Sequence, residues 1–115
     1  TPIKSSAASD VYKRQIYITE NGKSCHDEIS ADGHVHDTER INYINGYLKG
    51  LKKSVLEGTD VAGYFHWSLM DNFEWAYGYT ERFGLTYVDY KTQKRILKDS
   101  AYRYNEIIRT NGADL

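Results

Sequence analysis

Ile16-Tyr17-Ile18-Thr19-Glu20-Asn21-Gly22 is the stretch on which the reading of this chain turns. Its first four residues are β-branched or aromatic, the types that fit a pleated, buried surface. The run is almost continuously apolar, as a parallel strand covered on both faces would be. A carboxylate then stands where the strand should end, and Asn-Gly, a pair that readily adopts positive φ, stops it. Glu20 is thereby placed at the carboxyl end of a buried strand, the end at which open α/β sheets and barrels do their chemistry. Asn-Gly is also the commonest two-residue hairpin turn, and a glutamate before it can be ordinary turn decoration. Alone, the seven residues leave both readings open.

Outward from this strand, residues 23–36 form a polar loop, and Asp37 stands as a helix N-cap. Ile41, Ile44, Leu48, Leu51 and Val55 follow at spacings of three and four, one apolar helical face that Tyr47 widens. Gly46 and Gly50 weaken that helix by up to ~1 kcal/mol each relative to Ala, so packing must hold it. Gly58 is its stop. A second buried strand spans residues 61–67, which makes a βαβ unit with a right-handed crossover. After a long loop, 68–82, residues 83–90 alternate like a strand, 91–94 turn, and 95–98 pair back. Asp99 or Ser100 caps a last helix with Ala101, Tyr104, Ile107 and Ile108 inward, closed by Gly112.

At 115 residues the chain is one domain at most. A formal net charge of −1 gives no reason to expect a nucleic acid or an anionic membrane as partner. No stretch approaches the ~20 apolar residues of a membrane span, and no signal-peptide pattern opens the chain. Cys25 has no second cysteine to pair with, which points to a reducing, cytoplasmic compartment. Eleven Tyr, two Trp and three Phe supply many side chains with an apolar body and, in Tyr and Trp, a polar tip. Such side chains suit a sugar ring, which is apolar on its faces and hydroxylated at its rim, although core packing accounts for them equally well.

Trp67-Ser68-Leu69-Met70-Asp71-Asn72-Phe73-Glu74-Trp75 follows the second strand. Two indoles, two carboxylates and an amide on a loop leaving the active end of a sheet make a candidate saccharide site. The rings suit the C–H face of a sugar, and carboxylates accept from vicinal hydroxyls. A buried tryptophan pair with Asp71 capping a turn would give the same pattern.

Ile18-Thr19-Glu20-Asn21-Gly22, residues 67–75, Arg82-Phe83-Gly84-Leu85 and Tyr87-Val88-Asp89-Tyr90 together resemble the carboxyl-terminal part of family-1 glycoside hydrolases, the β-glucosidases and β-galactosidases. The resemblance covers about residues 16–111. It implies the α/β class and a partial (β/α)8 TIM barrel, with residues 16–20 as strand seven, 37–57 its helix and 61–67 strand eight. It also implies retaining hydrolysis of β-D-glucosides or related β-glycosides. Glu20 aligns with the catalytic nucleophile and Trp67 with the platform under the glycone ring. Glu74 aligns with the carboxylate that takes the O4 and O6 hydroxyls, Trp75 with the indole that donates to O3, and Phe83 with a residue lining the same pocket. Members that act on 6-phosphorylated sugars replace the Glu-Trp pair; Glu74 and Trp75 therefore imply unphosphorylated substrates. No cofactor or metal is implied, and the partner is a β-glycoside or oligosaccharide.

Retaining glycosidases need a second carboxyl group about 5–5.5 Å from the nucleophile. In this family it lies in an Asn-Glu-Pro motif at the end of strand four. The one proline here is Pro2, preceded by Thr1, so the motif is absent from these residues. Two parallel strands with open edges are likewise not expected to stand alone. Residues 16–115 are therefore expected to be the C-terminal quarter of a barrel, inactive without the N-terminal portion that completes the site. Residues 1–15, with Ser5-Ser6-Ala7-Ala8-Ser9 and Lys13-Arg14-Gln15, show no period and no counterpart in the family. They are expected to be a poorly ordered or junction segment, a short helix being the alternative. Leu97, where the family often has proline, touches the hairpin and not the site.

Two rival functions draw on the same residues. Cys25, His26, His34 and His36, with Asp27, Glu28 and Asp37 nearby, offer a zinc-binding loop, although no regular ligand spacing appears. Trp67, Glu74 and Trp75 would serve a carbohydrate-binding fragment without catalysis, at the cost of half a pocket wall. A fragment without activity, associating through its strand edges, is the third possibility. His66 is expected to be a core histidine, and Asp37 and Arg40 to cap and pair at the helix start.

Overall fold

The computed structural model describes residues 14–115, so the junction expected at residues 1–15 falls, for 1–13, outside the described residues. The expected βαβ unit is present. β1 (Ile16–Asn21) and β2 (Val61–His66) pair in parallel, connected through a polar loop and helix α1 (Thr38–Leu56). Gly58, at φ 106°, ends the helix with its N–H on the Val55 carbonyl. β3 (Thr86–Val88) and β4 (Arg95–Leu97) form the expected antiparallel hairpin, shorter than its sequence pattern. The Asp89 carboxylate tightens the hairpin turn by accepting from the Lys91 and Thr92 N–H groups. Helix α2 (Asp99–Arg109) follows, and Gly112, at φ 70°, closes it by donating to the Ile107 carbonyl. No helix among the described residues is long and apolar enough to cross a membrane.

Both helices lie against one face of the parallel pair. Ile18 shares a groove with Gly46, Tyr47, Gly50 and Leu51 of α1. Tyr64 and His66 of β2 meet Tyr104 of α2, with ring centroids 6.4 and 5.8 Å apart. On the opposite face Tyr17 and Phe65 close over Gly63 and remain 57% and 58% exposed. The described residues thus supply helices for one side only and leave the uncovered face expected of a lone parallel pair. The apolar core consists of Ile44, Leu48, Leu85 and Ile107, flanked by Leu51, Tyr64, Ala101, Tyr104 and Leu115. Tyr47, Val55 and Ile108, expected inward, are exposed: the buried stripe runs through Ile44, Leu48 and Leu51 on α1 and Ile107 on α2, and these three side chains stand outside it.

A second core is ionic. The Arg40 guanidinium reaches Asp27 at 2.8 Å and also pairs with Asp37. The Lys98 ammonium bridges Asp27 at 2.6 Å and Asp71 at 2.7 Å, and Arg82 meets the other Asp71 oxygen at 2.5 Å. Three cations and three carboxylates thus form one neutral chain that ties the 23–36 loop, α1, the 68–82 loop and the start of α2 together. Asp37 occupies the N-cap position of α1 but does not cap that helix. Its carboxylate turns away from the helix N–H groups to take Arg40 and the N–H and hydroxyl of Ser100. The residue preceding α2 is Lys98, not Asp99 or Ser100, and its side chain serves the same ionic chain.

Candidate active site

Glu20, Trp67, Glu74, Trp75 and Phe83, the five residues singled out from the sequence, line one cleft of about 520 Å³. Asn21, Gly22 and Tyr43 complete its walls. The cleft opens at the carboxyl ends of β1 and β2, where the strands deliver Glu20 and Trp67 side by side. Glu20 is solvent-exposed and Trp67 is 37% exposed, so both are open to a ligand.

Gly22 does not turn the chain through a positive φ, as the Asn-Gly reading expected. Its role is spatial: a Cβ there would stand 1.8 Å from the Trp67 carbonyl oxygen, so only glycine lets the two loops meet. The Trp67–Ser68 peptide is cis. Beyond it the chain is stitched to residues 83–86: Ser68 donates to the Phe83 carbonyl, Leu85 to Ser68, and Thr86 to Leu69. This stitching brings Phe83 to the cleft. Glu74 and Trp75 sit on a tight turn containing a short 3-10 segment (Trp75–Tyr77), closed by the Glu74 N–H on the Gly78 carbonyl at 2.6 Å. Trp75 is 83% exposed, a free indole at the rim.

Asp71 does not cap a turn of its own loop. Its side chain is buried and accepts from the Gly84 and Val88 N–H groups as well as from Lys98 and Arg82. It thus holds the segment carrying Phe83 against the loop carrying Glu74. His66 sits behind the cleft with both ring nitrogens buried and unpartnered among the described residues, its ring facing the Phe83 backbone. Burial, then the nearby Arg40 charge, pushes its pKa down to about 4, so the ring is neutral at pH 7.

The zinc-loop alternative is not formed. His36 is engaged on both sides, Nδ1 with Asp99 at 2.6 Å and Nε2 with Asp32 at 2.7 Å. Cys25 joins an isolated bridge to Arg82, and burial holds its thiol above the usual range. Among the described residues no three His, Cys, Asp or Glu side chains converge as a metal site would require.

Sequence reasoning missed the side-chain role of Asn21, and it missed Tyr43 entirely. The Asn21 amide bonds the Tyr43 hydroxyl at 3.1 Å and the Tyr64 hydroxyl at 2.9 Å. Tyr43 lies off the apolar stripe of α1, and only its neighbour across the fold gives it a function.

A small α/β unit that presents a carboxylate and an indole from adjacent parallel strand ends, with a second carboxylate and indole on the following loop, has the layout of a sugar hydrolase. The chain belongs to glycosyl hydrolase family 1, whose family model matches residues 6–113. It is 52% identical over 100 residues to β-glucosidase A of Thermotoga maritima, covering 87% of this chain and 22% of that protein. It is also 52% identical over 102 residues to a bifunctional β-D-glucosidase/β-D-fucosidase of Bifidobacterium breve, covering 85% of this chain and 22% of that one. Among solved structures, a family 1 β-glucosidase from Thermotoga maritima superposes with a TM-score of 0.88 at 49% identity, over 93% of this chain and 24% of that one. The chain thus spans 22% of the length of these two curated relatives.

Proposed function

We propose that residues 16–115 form the last quarter of a (β/α)8 barrel, with β1 and β2 as strands seven and eight. The complete barrel hydrolyses β-D-glucosides or related β-glycosides with retention at the anomeric carbon. The observation that carries this reading is the convergence of Glu20, Trp67, Glu74, Trp75 and Phe83 on one cleft at two parallel strand ends. The open Tyr17–Phe65 face agrees with it, since a closed barrel would bury those rings.

In this reading the Glu20 carboxylate attacks the anomeric carbon. The bond to the aglycone oxygen breaks as a glycosyl ester forms. A second carboxyl group, from outside these 115 residues, gives its proton to the departing oxygen. It then takes a proton from the water that opens the ester and frees Glu20. Trp67 offers its face to the sugar ring, Glu74 accepts from the outer hydroxyls, and the Trp75 indole N–H donates to a third. Phe83 closes one wall. Without the second carboxyl group, the 115 residues by themselves turn over essentially no unactivated substrate.

The test is a chimaera in which residues 16–115 replace the matching segment of Thermotoga maritima β-glucosidase A. It should hydrolyse nitrophenyl β-glucoside and lose nearly all turnover on Glu20→Gln. A 2-deoxy-2-fluoroglucosyl substrate should leave its label on Glu20. Full activity in the Glu20→Gln chimaera, or a label elsewhere, rejects the site assignment. Robust turnover by the 115-residue chain alone rejects the need for a second carboxyl group.

A further inference from the structure

Glu20 occupies an irregular point of β1. Ile18 pairs with Tyr64 and Asn21 with His66, so three steps on β1 match two on β2. The register shifts here, as it also does between Ile16 and Tyr17, and a shift at a strand end re-aims the side chain it carries. A strand end out of register needs re-anchoring, and Asn21 supplies it three times. Its carbonyl accepts from the Trp67 N–H at 2.9 Å. The two ends of its side-chain amide meet Tyr43 of α1 and Tyr64 of β2. The Tyr64 hydroxyl donates to the amide oxygen and the Tyr43 hydroxyl accepts from the amide N–H, and burial holds both above the usual phenol range, which keeps the donating proton on Tyr64. Next to it, Gly22 seats the Trp67 carbonyl.

We propose that Asn21 is the positioning residue for Glu20, its amide spanning Tyr43 and Tyr64 so that the irregular strand end holds the carboxylate beside the Trp67 ring. The inference rests on the reading of Glu20 as nucleophile. In that role the attacking oxygen must be placed to a fraction of an ångström, and a 1 Å error in such an alignment costs on the order of a hundredfold in rate.

Two measurements test it. In the chimaera described above, Asn21→Ala should lower kcat for an aryl β-glucoside by ~10–100-fold, with the binding of a ground-state inhibitor changed little. Tyr43→Phe should lower kcat by a smaller factor. Asn21→Asp, which can accept from both hydroxyls, should recover most of the rate at high pH. Its added charge beside Glu20 should move the acid limb of kcat/KM upward. A purely structural role would lower the melting temperature and leave kcat unchanged, in Asn21→Ala as in Tyr43→Phe, at temperatures well below melting.

In the 115-residue chain itself, Tyr43→Phe should shift the Asn21 side-chain amide resonances. Unshifted resonances overturn the clamp whatever the chemistry. A chimaera that depends on Glu20 but tolerates Asn21→Ala within twofold overturns the positioning role alone. A chimaera indifferent to Glu20→Gln overturns the nucleophile assignment and the positioning role with it.

Discussion

The Lys98 ammonium lies 2.7 Å from the Asp71 carboxylate, and neither side chain has any exposure to solvent. The same ammonium reaches Asp27 at 2.6 Å. One lysine at the start of the last helix thus joins the loop that follows the Glu20 strand to the loop that carries Glu74 and Trp75. Buried charge is costly unless it is paired and fully hydrogen-bonded, and here each partner is shared with an arginine.

Removing that ammonium leaves two buried carboxylates sharing fewer cations. Lys98→Met should destabilise the chain by about 3–5 kcal/mol. Urea denaturation of the two proteins measures it, and a loss under about 1 kcal/mol would place the chain of charges among inert surface pairs.

Gly22→Ala forces a methyl group into the Trp67 carbonyl, 1.8 Å away. The loops must separate, at a cost of about 1–3 kcal/mol or more. Thermal melting reads the cost. Intrinsic fluorescence should report a changed environment for Trp67, and an unchanged spectrum and melting point would contradict the contact.

His36 donates to Asp99 and Asp32, which raise its pKa above 6.5, Asp99 most. Protonation is therefore favoured in the folded state. Its contribution is fully present below pH 6.5 and is lost as pH rises through the raised value. The urea midpoint should fall across that window, and His36→Gln should flatten the slope.

His66 has the opposite sign. Its folded pKa of about 4 lies below the ordinary 6.5, so the unfolded chain takes up a proton first. Stability is intact above pH 6.5 and declines as pH falls towards 4, by roughly 1–3 kcal/mol after allowance for the part of the ring near solvent. Replacement by Phe should remove that acid-side decline. A ring that titrates near 6.5 by NMR would refute the assignment.

Much of the site could be read residue by residue. Glu20 was legible because it ends an apolar run, Trp67, Glu74 and Trp75 because indoles and carboxylates cluster within nine residues, and Phe83 only through the family resemblance. Asp37 misled, since an aspartate before an apolar helix reads as a cap while its carboxylate bonds Ser100, 63 residues away. Tyr47, Val55 and Ile108 misled for a related reason. Helical spacing marks an apolar face but not which of its side chains a neighbour covers.

From its sequence alone this chain has the order of its elements, their stops at Gly58 and Gly112, and the chemical groups of the candidate cleft. Periodicity, turn residues and functional groups act locally, and local patterns suffice to find them. The tertiary structure alone decided which side chains meet. Asn21 finds Tyr43 across 22 residues and Lys98 finds Asp27 across 71. The value of such contacts comes from desolvation and close approach in the folded state, which no spacing along the chain encodes.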